Sequence, residues 1–230
     1  MKSLRYSYQY PHPAVTTDCV IFGFDGNRLN VLLIERGIEP YKGQWAFPGG
    51  FIRMDETADE CARRELREEA GLNDAYMRQF YTFSAVNRDP RERVITIAYY
   101  ALVQQRQVTG GDDAARAQWF ALDQVPRLAF DHDVILRHAI DALRRQIHFE
   151  PIGFELLPRQ FTMTQLQRLY EAVLAVKFDR RNFSNKMRHL GLLDELDEKS
   201  ILPNKKEAFL YSFNRENYAE FKERGFRLEF

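Results

Sequence analysis

Three carboxylates set the chemistry this chain could do. Glu65, Glu68 and Glu69 fall within five residues. On a helix the i,i+3 and i,i+4 spacings stack them on one side, at a mutual repulsion that no structural need explains. Hard divalent cations want such oxygens, and Mg2+ (or Mn2+) takes one or two carboxylates together with substrate phosphate oxygens and water. Just upstream, the run GQWAFPGG ends on Gly49 and Gly50. A carbonyl there could add a ligand, and the glycines let backbone approach a metal and phosphates closely. For three arbitrary glutamates, a solvated helix face supported by Arg64 and Glu68 at i,i+4 would be the better reading. It is the full spacing of the stretch, given below, that reverses this.

The elements that must hold these groups are legible around them. Thr57 followed three residues later by Glu60 is a capping box, Ala58, Ala62, Leu66 and Ala70 favour helix, and Gly71 sits where a left-handed cap is wanted. One helix over about 57–70 follows. Before it, 15–24 and 29–35 are β-rich runs around Asp25, Gly26 and Asn27, which reads as a hairpin. After it, strands are expected over 77–86 and 94–103, the second apolar enough to be buried on both sides. A short strand at 118–122 and an amphipathic helix at 133–147 follow. Trp45 reads as core. The charged loop between the two middle strands carries Arg88, Arg91 and Arg93. Guanidinium groups suit phosphate, so Arg88 and Arg91, with Arg36, are the expected ligand contacts, against the alternative of a solvated turn. As an exposed loop arginine, Arg88 should be replaceable without harm to folding.

Composition narrows the class. The chain has 230 residues, enough for one domain of about 150 residues and a smaller one. Lys and Arg total 33 and Asp and Glu total 33, so no global field recruits nucleic acid or membrane and any such binding must come from a local patch. Cys19 and Cys61 form no C-x-x-C pair, which argues against a disulfide framework or a zinc site and suits a reduced cytoplasm. The first residues lack an apolar signal core, and no run approaches the roughly 18 apolar residues of a membrane span.

At 149–153 the pattern changes, giving expected domains of 1–150 and 151–230. Thr162 and Thr164 can cap a helix from Gln165 to about Ala175, Val176, Lys177 and Phe178 make a turn, and Asp179 caps a second helix to Leu190. In that second helix Phe183, Met187 and Leu190 face inward, while Arg181, Ser184, Asn185 and Arg188 point outward. A helix, short turn and helix of this kind places a recognition helix in a DNA major groove. Arg181 and Asn185 are positioned for base edges, and Lys177, Arg180 and Lys186 for phosphates. Lys205 and Lys206 precede a strand at 209–213 that could form a wing. The region 151–230 has 14 basic residues against 12 acidic ones, but 177–188 has five against one. The basicity is focused. A small helical dimerisation domain is the competing reading.

Two resemblances sharpen these expectations. Gly50, Glu56, Arg64, Glu65, Glu68, Glu69 and Gly71 stand at the spacing G-x5-E-x7-R-E-U-x-E-E-x-G-U, with Leu66 and Leu72 at the aliphatic positions. This resembles the complete signature of the Nudix pyrophosphohydrolases. It implies a mixed α/β/α sandwich, Mg2+-assisted cleavage of a nucleoside diphosphate linked to another group, and an ion pair from Arg64 to Glu56. Catalytic roles then fall to Glu56, Arg64, Glu65, Glu68 and Glu69, with metal held by Gly49, Glu65, Glu68 and Glu69. The general base is open between Glu68, Asp112 and Asp113. Over residues 11–213 the chain also resembles the Nudix-related transcriptional regulators, through Tyr10 to Thr16, Tyr81 to Phe83, Arg88 to Arg91, Ala98 to Leu102, Phe154 to Pro158, Leu169 to Ala172 and Asp179 to Phe183. That resemblance implies an α+β chain with a C-terminal winged helix-turn-helix, a homodimer, ADP-ribose or a related ligand, and a double-stranded DNA operator controlling NAD or sugar metabolism. Many such regulators have a degraded Nudix box. This one is intact, whereas the wing at 201–208 lacks the Arg-Pro-Ala common in the family.

Overall fold

Alternation along one strand decides the layers. In β1 (Ala14–Phe24), Cys19 and Ile21 face one side of the sheet and Val20, Phe22 and Phe24 the other, because successive side chains of a strand point to opposite faces. The first set packs on Ala62, Leu66 and Ala70 of α1 (Ala58–Ala70), and the second on Ile135, Ala139 and Leu143 of α2 (His132–Ile147). The result is a mixed sheet between two helices. The computed structural model describes residues 8–105, 114–201 and 207–224.

β2 (Leu29–Arg36) returns antiparallel to β1, as the hairpin reading expects. Two short strands follow, β3 (Trp45–Ala46) and β4 (Gly49–Phe51). β5 (Tyr76–Phe83) is shorter than expected, and β6 (Val94–Gln104) runs parallel to β1 from Ala14 opposite Val94 to Phe24 opposite Gln104. β7 (Ala114–Ala121) begins before the strand expected at 118–122 and pairs with β2. Strand order is β3-β2-β1-β6-β5, with β4 on β1 and β7 on β2.

A buried 3-10 turn at Ile152–Leu156 leads into the second part. β8 (Gln160–Thr162) runs directly into α3 (Met163–Leu174), whose Thr162 cap and Gln165 form a reciprocal capping box, and Ala175 ends it in a left-handed conformation, φ 55°. Glu171 holds the next turn, accepting from Phe178 N–H at 3.0 Å and Gln167 at 2.9 Å. Asp179 caps α4 (Arg180–His189). β9 (Leu193–Ile201) and β10 (Glu207–Phe213) complete a three-stranded sheet in the order β8-β10-β9. β9 and the closing helix α5 (Arg215–Glu223) are additions to the sequence reading. Among the described residues no helix is long and apolar enough to cross a membrane.

One apolar core runs through both parts, from Val20, Phe22 and Ile135 to Leu166, Tyr170, Phe183 and Met187. Polar ties reinforce it: Gln104 donates to the Leu157 carbonyl at 2.7 Å, and Arg144 to that of Val173 at 2.9 Å.

Candidate functional site

The sheet opens where β1 and β2 part. Thr16, Thr17 and Asp18 pair with β4, and only Ile21 to Phe24 pair with β2, which gives Ile34 and Glu35 to β3 instead. The turn between β3 and β4 spans the gap, with Cys19 N–H bonded to the Pro48 carbonyl at 2.9 Å. The result is an open cleft of about 280 Å³. Its walls include Asp18, Arg36, Gly49, Gly50, Glu65, Glu69, Arg88, Asp89, Arg91, Phe130 and His132.

α1 delivers the carboxylates. Its expected capping box is present, and Gly71 ends it at φ 65°. Glu69 accepts from Gly49 N–H at 2.9 Å. A Cβ on Gly49 would run into the Thr17 backbone carbonyl, so that position tolerates only glycine, and one on Gly50 would displace the Glu65 carboxylate. Arg64 is buried beneath it. Its Nε and Nη2 clasp Glu56 at 2.9 and 2.6 Å, while Nη1 reaches Glu65 at 2.5 Å and Glu68 at 3.1 Å. Hydrogen bonds from Arg64 pull the Glu56 carboxyl down to about 2. Burial pushes the Glu65 carboxyl up, against the pull of Arg64. Glu68 stands apart: its side chain is half exposed, bonded to Arg64 and 3.9 Å from Arg53, and it does not line the cleft. Among the described residues no group of three potential metal ligands is gathered. Asp112 and Asp113 lie outside the described residues.

Arg88 corrects an expectation. It is buried, 7% exposed, with Nη2 at 3.1 Å from Asp18, and Nη2 and Nε at 2.8 and 3.0 Å from Asp131. The loop folds it inward because Asp18, buried on β1, and half-buried Asp131 at the start of α2 together require a cation. It is not a dispensable surface arginine. Arg91 does stay accessible, bonded to Asp89 at 2.7 and 3.0 Å and lying 5.4 Å from the Phe51 ring and 5.8 Å from that of Phe130. Arg36 lies 4.8 Å from the same Phe130 ring, and burial and the nearby Arg91 lower its pKa. Two cations thus bracket one aromatic ring, an arrangement that suits a polyanionic ligand.

Sequence reasoning missed Asp18, Asp89, Phe130, Asp131 and His132. His132 accepts from Phe47 N–H at Nδ1, 3.0 Å, which places its proton on Nε2, 3.6 Å from Asp18. Burial lowers its pKa and keeps the ring neutral. A lone Asp-His pair at a helix start carries no distinctive spacing, so only the fold brings it to the cleft.

On the second part, Phe183 and Met187 are buried, and Arg180, Arg181, Asn185, Lys186 and Arg188 are exposed. Ser184 is intermediate. Lys177 is exposed but tethered to Glu171 at 2.9 Å. Arg188 donates to the Tyr211 hydroxyl at 2.8 Å. The neighbouring β9 presents exposed Asp194, Glu195, Asp197 and Glu198. Lys205 and Lys206 lie outside the described residues.

Comparison with known proteins agrees with both parts. The NUDIX domain model matches residues 12–143, and the NrtR DNA-binding winged helix domain model matches 153–213. The chain is 34% identical to the ADPR responsive transcriptional repressor NtrR of Acinetobacter baylyi, over 91% of this chain and 85% of that one. It is 40% identical to an ADP-ribose pyrophosphatase of Methanocaldococcus jannaschii, over 59% of this chain and 78% of that one. The structure of Shewanella oneidensis NrtR complexed with a 27mer DNA superposes with a TM-score of 0.76 at 28% identity, covering 89% of this chain and 95% of that one. The chain therefore belongs to the Nudix family, in the branch that joins a Nudix domain to an NrtR winged helix.

Proposed function

We propose that this protein is a ligand-responsive DNA-binding regulator whose Nudix cleft binds and hydrolyses ADP-ribose or a related nucleoside diphosphate sugar, with residues 1–150 as sensor and 151–230 as the DNA-binding part. The observation that carries the reading is the pairing of an intact Nudix box with an NrtR winged helix along one chain, which over 91% of its length is similar to an ADPR responsive repressor. A homodimer acting on an operator of NAD or sugar metabolism fits the same reading.

The donor set fits a hard divalent cation such as Mg2+. Glu65 and Glu69 supply carboxylate oxygens at one wall, and the glycine turn lies so close to Glu65 that a Cβ would fill the space. Gly49, Glu65 and Glu69 would hold the ion, with Glu68 joining only if it leaves Arg64. What a bound ion would supply is neutralisation of pyrophosphate charge and acidification of the attacking water. The chain's own residues do the rest. Arg36 and Arg91 hold phosphate oxygens, Phe130 and Phe51 shield one side, and Arg88 fixes the cleft floor. Arg64 keeps the loop at Glu56 and Phe51 against the catalytic helix.

The test is a panel of nucleoside diphosphate sugars with Mg2+, reading phosphate products and duplex affinity on the same sample. Turnover with no duplex preferred over random DNA would leave a plain hydrolase with a dimerisation domain. Neither turnover nor ligand-dependent DNA affinity would reject the whole reading.

A further inference from the structure

The outward face of α4 ends on Arg188, beside the three-stranded sheet. There its guanidinium donates one hydrogen bond, 2.8 Å, to the hydroxyl of Tyr211 on β10. That hydroxyl donates in turn to Glu195 on β9 at 2.9 Å, across the directly opposed pair Tyr211 and Glu195. A tyrosine hydroxyl has one proton, so accepting from Arg188 and donating to Glu195 uses it in a fixed sense. Burial and the adjacent Glu195 raise the Tyr211 pKa, which keeps that proton in place. Tyr211 itself is 3% exposed, while Arg188 and Glu195 are exposed. The anchoring ring is therefore buried and the guanidinium, which has five N–H donors, remains accessible.

We propose that Tyr211 is a positioning residue for DNA recognition: backed by Glu195, its hydroxyl fixes the Arg188 guanidinium at the corner between the recognition helix and the wing, where it meets a backbone phosphate. The proposal rests on the DNA-binding reading above. Two features of the site favour positioning over simple satisfaction of a core hydroxyl. The hydrogen-bonded chain crosses three separate elements, α4, β10 and β9, and so ties the end of the helix to the sheet. It also links Glu195, one of four exposed carboxylates on β9, through the Tyr211 hydroxyl to the Arg188 cation, so that this carboxylate does not face an incoming polyanion unopposed. A long side chain held in its bound geometry gives up less rotational freedom on binding.

The experiment uses the full chain and a duplex selected by the parent protein from a random-sequence pool, titrated at two salt concentrations. Arg188→Ala should weaken binding and lower the log–log salt slope by about one, the signature of one lost phosphate contact. Tyr211→Phe keeps every charge and the ring, so it should cost roughly 3- to 10-fold in affinity with the slope unchanged. In the Arg188→Ala background, Tyr211→Phe should have no further effect. Three results overturn the proposal: Tyr211→Phe equal to the parent, Tyr211→Phe tighter than the parent, or an equal loss in both backgrounds, which would mark a general loosening of the fold. A parent protein that selects no duplex rejects the DNA-binding reading itself.

Discussion

Truncating Arg88 would leave Asp18 and Asp131 without the cation they share, and the buried one, Asp18, would lose its ion pair while neutral His132 stays 3.6 Å away. Removing one partner of a buried ion pair costs more than the pair is worth, because a desolvated charge remains. Arg88→Ala should therefore lower stability by about 3 kcal/mol. Urea unfolding measures it, and a loss within about 0.5 kcal/mol would return Arg88 to the surface class. Arg88→Lys should recover part of that loss, since an ammonium cannot reach two carboxylates with a planar fork. Glu69 answers to a different test. Glu69→Gln keeps the shape and removes the charge, so ADP-ribose turnover should fall by orders of magnitude while the protein stays folded. Equal turnover by mutant and parent would remove Glu69 from the metal set.

At the level of elements, the turn between α3 and α4 depends on Glu171, which gathers Phe178 N–H, Gln167 and Lys177. Burial works against its charge, but the Phe178 N–H, Lys177 and Gln167 outweigh it and hold the carboxyl at about 2. A depressed carboxyl contributes stability that is present above its ordinary value of 4.5 and is lost as pH falls toward 2. Acid titration of the parent should thus lose a stabilising contribution between about pH 4.5 and 2 that Glu171→Gln lacks; identical acid profiles would deny the clasp. The helices α1, α3 and α4 were legible because their ends carry chemistry: Thr57 with Glu60, Thr162, Asp179 and Gly71 each satisfy backbone groups that a helix leaves open, whereas the Asn214 cap of α5 went unread. The strand at 15–24 was legible as a β-rich run and that at 94–103 as an almost continuously apolar or aromatic one. β9 was not, because LDELDEK reads as a charged loop, and what makes it a strand is pairing with β10. The cleft divides the same way. Glu65, Glu69 and Gly49 follow from a fixed local spacing, whereas Asp18, Asp89 and His132 arrive from β1, the β5–β6 loop and α2, and no spacing links them. Arg88 was found but misplaced, since a loop arginine beside Asp89 and Glu92 reads as solvated until Asp18 and Asp131 are seen beneath it.

For the molecule as a whole, the continuity of the core decides how the two parts communicate. Ile147 and Leu169 both press on Gly153, where a Cβ would lie 3.2 and 3.3 Å from them, and Phe154 stacks on Phe213 at 4.2 Å. The 3-10 turn at Ile152–Leu156 is thus an apolar wedge between sheet and winged helix, unlike the exposed polar linkers across which domains move freely. α2 spans the distance. Its first turn meets the cleft through Asp131 and Arg88, and near its other end Arg144 bonds to the Val173 carbonyl of α3. A ligand that shifts Arg88 therefore acts on an element that directly supports the helix-turn-helix. If the core is one cooperative body, the two parts must melt together. Calorimetry should show a single transition whose calorimetric and van't Hoff enthalpies agree. ADP-ribose at about 100 times its dissociation constant should add about 2.7 kcal/mol, and at this chain length that would move the midpoint by roughly 5 °C or more. Near-ultraviolet signals from the Nudix part and the DNA affinity of the winged helix should be lost at the same temperature. Two separate transitions, with only the first shifted by ADP-ribose, would show that the wedge does not couple the parts.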